Sequence, residues 1–153
     1  MNLLEYNMKL TEHFSLQEML RSDIAIKYGI KNEPETPEET EEVKKNLVAI
    51  CTKILEPLRE YMQQPIYINS AYRCKELNNI LHSSSPTSKH LTGSAIDIRL
   101  SSVEEMNKMI DFIKTLEFDQ LIIERNKHGG RWLHVSYNRH AKNRKQILRI
   151  NVK

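Results

Sequence analysis

The sequence predicts an α+β fold, because helical and strand periodicities both occur along its 153 residues. Between Val43 and Tyr61, apolar residues recur at steps of three and four, as on one face of an amphipathic helix. In Ala95–Leu100 and Trp132–Tyr137, apolar residues instead alternate with polar ones, as in strands with one buried face. A chain of this length can bury one core without disulfides, so we predict a single domain over residues 1–153.

Two helix starts are predicted in the N-terminal third. Ser15 stands three residues before Glu18, which is the spacing of a capping box at the start of a short helix. Thr36 followed by Pro37 predicts the start of the longer amphipathic helix. Within that helix Pro57 predicts a kink or a break, because proline lacks the backbone N–H that the helix needs.

The middle of the chain is predicted to alternate between a strand, a helix and a loop. Ile66–Ser70 is typical of a strand and leads directly to Arg73, and a helical stretch follows over residues 76–81. The polar segment 83–88 contains a proline and is predicted to be the loop that delivers His90.

The last third is predicted to be one helix and several strands. Ser102 and Glu105 have the capping-box spacing, and an apolar helical stripe follows them. The glycines of segment 126–130 favour a hairpin loop. Three runs are typical of strands, the last of them at an edge: Phe118–Glu124, Trp132–Tyr137 and Gln146–Val152.

Charge and composition restrict the partners and the compartment. A net charge of +3 and a pI near 8.8 are too mildly basic to indicate nucleic acid. The basic run 139–145 is interpreted as a solvated turn, and a nucleic-acid binder driven by that run is a weaker alternative. The N-terminus lacks a basic segment leading into an apolar run, and no window approaches the length of a membrane span. We therefore expect a protein made in the cytoplasm without a signal peptide.

Two imidazoles and a carboxylate are candidates for a metal site. His90 lies in the predicted loop, whereas Asp97 and His134 alternate with apolar neighbours and would face away from the apolar layer. Three such ligands and a water form a catalytic zinc site. Cys51 and Cys74 lack the C-x-x-C spacing of a thiolate site. Singly, each ligand has an ordinary structural interpretation, but jointly they favour a metal site.

Glu124 is the strongest candidate for the general base that a zinc hydrolase needs. It ends the strand of the hairpin that carries His134, and whether the two share a face depends on the hairpin register. The alternative is a solvent carboxylate paired with Arg125 or Arg131. His128 is a less attractive base, because it lies in a loop flanked by glycines.

Two further side chains are candidates for substrate contact. Arg73 follows a predicted strand, where its guanidinium could clamp a carboxylate or a carbonyl, the alternative being a surface arginine in a turn. Trp132 lies two positions from His134 and could form an apolar wall beside the metal, or could belong to the core.

Together these segments resemble the M15 group of zinc peptidases, the D-alanyl-D-alanine carboxypeptidase and endolysin type, and in particular the subgroup of peptidoglycan peptidases that shares the opening segment of this chain. The resemblance covers most of the chain and depends on the combination of motifs rather than on any one of them. The segments that carry it are Leu10–Met19, Ser70–Arg73 with Asn78, Ser88-x-His90, Gly93-x-Ala95-x-Asp97 and Trp132–Tyr137.

The resemblance implies the fold and the site. The fold would be the Hedgehog-like one of zinc peptidases, a small antiparallel sheet with helices packed on one face. His90, Asp97 and His134 would bind Zn²⁺, Arg73 would hold a carboxylate or carbonyl of the substrate, and Ser88 would lie in or beside the site. The substrate would be the peptide of bacterial peptidoglycan.

One position departs from the family pattern. Many relatives carry an acidic base three residues before the second metal histidine, where this chain has Arg131, so the base role falls to Glu124. We expect a monomeric zinc metallopeptidase that cleaves a D-amino-acid-containing bond in the cell wall, as a carboxypeptidase or an endopeptidase. Phage-mediated release is one route to the wall. The alternative is a noncatalytic wall-binding module or a phage structural component of the same fold.

Overall fold

The computed structural model describes residues 1, 3–81 and 85–152. Its α-helices are α1 (Leu3–Tyr6), α2 (Leu16–Leu20), α3 (Asp23–Lys27), α4 (Pro37–Ile50), α5 (Glu56–Met62), α6 (Lys75–Ile80) and α7 (Val103–Ile113). Its strands are β1 (Ile68–Ser70), β2 (Ala95–Arg99), β3 (Gln120–Asn126), β4 (Arg131–Ser136) and β5 (Gln146–Val152). A π-helical turn, Cys51–Leu55, joins α4 to α5, and a 3₁₀ turn, Lys89–Thr92, precedes β2.

The strands form one five-stranded sheet in the order β1-β2-β4-β3-β5, which confirms the α+β class. Strands β1 to β4 pair antiparallel as predicted, but β5 runs parallel to β3, so the sheet is mixed. The hairpin explains the difference: β4 ends beside the start of β3, and the following loop crosses to the free side of β3. There the backbone N–H of Gln146 bonds to the Asp119 carbonyl at 3.0 Å, so β5 starts where β3 starts. The predicted edge position of β5 is confirmed.

The helices cover one face of the sheet, and the core lies between them and the strands. In β2, β3 and β4 the residues buried in this core alternate along each strand, as predicted. The strand residues that reach it are Ile96, Ile98, Leu121, Ile123, Leu133 and Val135. The side chains between them lie on the other face, which carries the polar residues, and we call it the site face.

Both predicted capping boxes cap helices in the structure. The Ser15 hydroxyl accepts a bond from the Glu18 N–H at 3.2 Å, and Ser102 accepts from Glu105 at 3.0 Å. Thr36 caps α4 in the same way ahead of Pro37. Helices α1 and α3 are additions that the apolar periodicity did not predict. Residues 83 and 84 of the predicted loop 83–88 lie outside the described residues.

Pro57 does not break the long helix, because the backbone widens before it. The turn Cys51–Leu55 is π-helical, and the N–H of Glu56 bonds to the Cys51 carbonyl five residues back. A π turn makes room for the proline ring, which in a regular helix would press against the carbonyl four residues earlier. Helical backbone therefore continues from Pro37 to Met62.

Gly93 sits where the 3₁₀ turn meets β2, and the structure requires a glycine there. Its φ is +74°, and an added Cβ would lie 3.1 Å from the Val43 carbonyl oxygen and 3.2 Å from Leu47 Cγ. Gly129 in the hairpin loop also has a positive φ, of +84°, but nothing lies within 4 Å of its Cβ position. Substitutions at these two glycines therefore distinguish the energetic cost of backbone strain from the cost of crowding.

We expect Gly93→Ala to lower the free energy of unfolding by about 2–4 kcal/mol, from left-handed strain and overpacking together. Gly129→Ala is the matched control and should cost only about 1 kcal/mol, because it adds strain without crowding. Urea unfolding of the two variants measures the difference. Equal losses would contradict the close packing of Gly93 against α4.

Candidate metal centre

Three polar residues of the site face form a row across the sheet. Asp97 on β2 lies directly opposite His134 on β4, and Ser70 on β1 lies opposite Asp97 from the other side. On an antiparallel sheet, opposite residues share a face and lie within side-chain contact. The alternation therefore does place Asp97 and His134 on one face, away from the core.

His90 reaches this row from the 3₁₀ turn. The turn is capped by Ser88, whose hydroxyl accepts a bond from the backbone N–H of His90 at 3.2 Å. The imidazole is buried, and its Nδ1 lies 2.6 Å from the carbonyl oxygen of Ala71. Because a carbonyl can only accept, Nδ1 carries the proton and Nε2 presents its lone pair to the site.

Both imidazoles converge on one carboxylate oxygen. His90 Nε2 lies 3.2 Å and His134 Nδ1 lies 3.0 Å from Asp97 Oδ1. Burial lowers the pKa of His90 and so favours its neutral form, whose Nε2 lone pair faces the carboxylate. Two lone pairs at this distance repel each other unless a cation lies between them. The arrangement therefore suits a bound metal ion.

The donor set is the one that zinc takes in catalytic sites. The potential ligand atoms of His90, Asp97 and His134 all lie within 4.8 Å of one another. Two nitrogens and one carboxylate oxygen match zinc, and three protein ligands leave a fourth position open. The carbonyl of Ala71 holds the His90 ring in the tautomer that a metal ligand needs.

Arg73 forms an ion pair with Asp97, the carboxylate among the three candidate ligands. Its guanidinium Nη2 lies 3.3 Å from Asp97 Oδ2, and its Nε donates to the Ser70 hydroxyl at 3.0 Å. Burial alone would raise the pKa of Asp97, but positive charge at His90 and a hydrogen bond with His134 outweigh it and hold the pKa well below its usual range. When His90 is neutral, a metal ion bound between these side chains would supply that positive charge. Asp97 is thus an ionised carboxylate, with one oxygen toward the histidines and the other toward Arg73.

Glu124 shares the site face with His134. On the hairpin Glu124 lies opposite Trp132, two residues along β4 from His134, and this register answers the question that the sequence left open. Burial raises the pKa of Glu124, and the Asp97 charge acts in the same direction, while a hydrogen bond from the Trp132 side chain opposes the rise. Arg125 and Arg131 lie opposite each other in the register and by alternation face away from Glu124.

One cavity of about 430 Å³ unites the predicted residues. The seven residues that the sequence assigns to the site all line it: Arg73, Ser88, His90, Asp97, Glu124, Trp132 and His134. His128, the less attractive base, lies in the exposed hairpin loop and does not line the cavity. Sequence reasoning missed other residues of the wall: Leu81, Ser85, Thr87, Lys89, Gln120 and Val152. It also missed Ala71, whose contribution is a backbone carbonyl that no side-chain pattern reveals.

Part of the basic run 139–145 is paired with carboxylates elsewhere in the fold. Arg139 and His140 both contact the carboxylate of Glu42, at 2.8 and 2.7 Å. Arg144 binds the buried Asp119 through its side chain and its backbone N–H. The run therefore fastens the loop before β5 to the rest of the molecule.

Comparison with known proteins identifies the family. The sequence model of a family described as Peptidase M15 matches residues 12–136, a range that includes all seven cavity residues predicted above. No curated protein gives a significant match. Within the described residues, no helix is long and apolar enough to span a membrane. Because the match covers well over half of the 153 residues, the chain belongs to the peptidase M15 family.

Proposed function

We propose that this protein is a zinc metallopeptidase that hydrolyses a D-amino-acid-containing bond in bacterial peptidoglycan, and that residues 1–153 form a single domain of this type. The convergence of His90 Nε2 and His134 Nδ1 on one oxygen of Asp97 carries the proposal. The family supports peptide hydrolysis. The wall substrate comes from the resemblance to the carboxypeptidase and endolysin members of the group.

The three ligand side chains would hold zinc through His90 Nε2, His134 Nδ1 and Asp97 Oδ1. Zinc supplies a Lewis acid that activates water and polarises the scissile carbonyl. Glu124 accepts a proton from the attacking water as the carbon–oxygen bond forms. It then returns that proton to the leaving nitrogen as the carbon–nitrogen bond breaks. Trp132, which lies opposite Glu124 on the hairpin, would position its carboxylate for both transfers.

Two measurements test this function. Protein purified without chelators should contain one zinc per chain, and incubation with purified sacculi should release new amino and carboxyl termini. Mass spectrometry of the digest then identifies the bond and separates carboxypeptidase from endopeptidase action. Absence of stoichiometric zinc would refute the metal site. Co-sedimentation with sacculi without new termini would favour a noncatalytic wall-binding module.

Arg73 is expected to strengthen zinc binding through Asp97. Lysine lacks the planar fork that contacts Asp97 and Ser70 together, so Arg73→Lys should weaken zinc affinity by about 10–100-fold, as for other outer-shell partners. Competition with a chromogenic chelator measures this without any substrate. Arg21→Lys is the control, because the Arg21–Asp23 pair is exposed and does not line the cavity. An unchanged zinc affinity would leave Arg73 with substrate binding alone.

A further inference from the structure

A second row of side chains crosses the site face beside the candidate ligands. On this row Arg99 of β2 lies opposite Trp132, and Trp132 lies opposite Glu124. Residues two apart on a strand share a face and lie roughly 7 Å apart, so this row runs about 7 Å from the row of Asp97 and His134. The site face thus continues past Trp132, which lines the cavity, to Arg99.

The guanidinium of Arg99 is held over an aromatic ring. Its central carbon lies 4.7 Å from the centroid of Tyr67, a residue just before β1. The Tyr67 carbonyl also accepts the backbone N–H of Arg99 at 2.9 Å, which fixes the two residues side by side. Tyr67 is 54% exposed and Arg99 is exposed as well. Stacking limits the conformations of the guanidinium but leaves its N–H donors available.

Arg99 differs from the other arginines of the sheet region. Arg73 is committed to Asp97, and by alternation Arg125, Arg131 and Arg149 lie on the opposite face. In the described part of the chain, no carboxylate forms an ion pair with Arg99. Among the described residues, this positioned cation on the site face therefore has no carboxylate partner.

We propose that Arg99 binds a carboxylate of the substrate, about two residues from the scissile bond, and so selects peptides in which that group is ionised. This inference rests on the proposed peptidase function. An extended peptide advances roughly 7 Å in two residues. When such a peptide runs along the strands toward Arg99 with its scissile carbonyl at the Asp97–His134 row, a group two residues away lies over Arg99 and Trp132. A carboxylate can accept two charge-assisted bonds from a guanidinium, whereas a carboxamide carries no charge.

The test uses a synthetic stem pentapeptide with all its carboxylates free, and forms in which one carboxylate at a time is amidated. One amidation should lower kcat/KM of the wild-type protein by about tenfold, the effect of one exposed charge-assisted bond. Arg99→Gln should lower kcat/KM for the free peptide by a similar factor and respond no further to that amidation. The difference should shrink at high ionic strength. Arg149→Gln, on the opposite face, should behave as wild type.

A binding measurement separates this inference from the proposed function. Calorimetry with the zinc-loaded Glu124→Gln protein reports peptide affinity without turnover, and the same tenfold preference should appear there and vanish when Arg99→Gln is added. If no peptide is cleaved but this preference persists, the proposed function fails and the Arg99 site stands. Arg99→Lys, which keeps the charge and loses the fork, provides a second variant should Arg99→Gln unfold. Equal responses to every amidation with and without Arg99 would overturn the inference.

Discussion

Replacing His90 with alanine is expected to abolish stoichiometric zinc binding and, with it, hydrolysis of sacculi. In the proposed site His90 is one of three protein ligands, and its ring is fixed by the Ala71 carbonyl at 2.6 Å. Loss of a direct ligand should reduce zinc affinity by more than the roughly 10–100-fold cost of losing an outer-shell partner. Elemental analysis after gel filtration gives the stoichiometry, and chelator competition gives the affinity.

His134→Ala is a second ligand variant, which keeps the test valid if His90→Ala does not fold. His90 is almost fully buried, so His90→Ala also removes packing, whereas the side chain of His134 is 12% exposed. Both variants should lose zinc, and circular dichroism should show that at least one of them remains folded. Retention of one zinc per chain by a folded variant of either histidine would refute the triad.

His13→Ala is the matched control, because His13 belongs to the second group that could hold a metal, with Glu12 and Glu56. There the Glu56 carboxylate already accepts bonds from Thr11 and from the His13 backbone, and it lies 2.8 Å from His13 Nδ1. This cluster fastens the N-terminal segment to α5, so His13→Ala should leave the zinc content unchanged. Loss of zinc from this control would indicate that the metal binds at the N-terminal cluster of Glu12, His13 and Glu56 instead.

The faces of the two candidate ligands on strands, Asp97 and His134, could be predicted from local pattern, because strand alternation is a property of adjacent residues. Asp97 stands between Ile96 and Ile98, both buried in the core, and its orientation follows without knowledge of its neighbours in space. The same holds for the helix starts at Ser15 and Ser102, whose caps act within one turn. These predictions needed no information about pairing.

Pairing decided what the sequence left open. Whether Glu124 faces His134 depends on the hairpin register, and a slip of one residue would have turned it to the opposite face. The parallel pairing of β5 depends on a loop that crosses β3, and the Ala71 carbonyl reaches His90 across nineteen positions of sequence. The Arg73 bond to Asp97 likewise joins separate segments. Non-local contacts of this kind leave no periodicity in the chain.

Arg131 occupies the position at which the family pattern has an acidic residue. The family resemblance implies an acidic base at this position in many relatives, and the arginine here is the reason that the sequence assigns the base role to Glu124. In the structure Arg131 lies opposite Arg125 on the face away from His134, whereas Glu124 lines the cavity. An arginine at position 131 therefore leaves the site face unaltered. The proposed base role therefore falls to Glu124, and its substitution is the most direct test of that role.

Glu124→Gln should leave zinc in place and reduce hydrolysis by about 10²–10⁴-fold, the usual contribution of a positioned general base. Glutamine keeps the size of the side chain and can still accept a bond from Trp132, but it cannot take a proton from water. Because Glu124 is not one of the three ligands, zinc content and affinity should match the wild type. Single-turnover release of peptide termini from sacculi measures the rate of the chemical step.

The pattern across variants assigns the role. A base variant loses kcat and keeps zinc, a ligand variant loses both, and Glu117→Gln, an exposed glutamate before β3, should lose neither. Trp132→Phe keeps an aromatic ring opposite Glu124 but removes the indole N–H, so it should lower kcat by a smaller factor than Glu124→Gln. If Glu124→Gln hydrolyses sacculi at the wild-type rate, proton transfer must come from another group, and Glu124 would be only a carboxylate in the wall of the cavity.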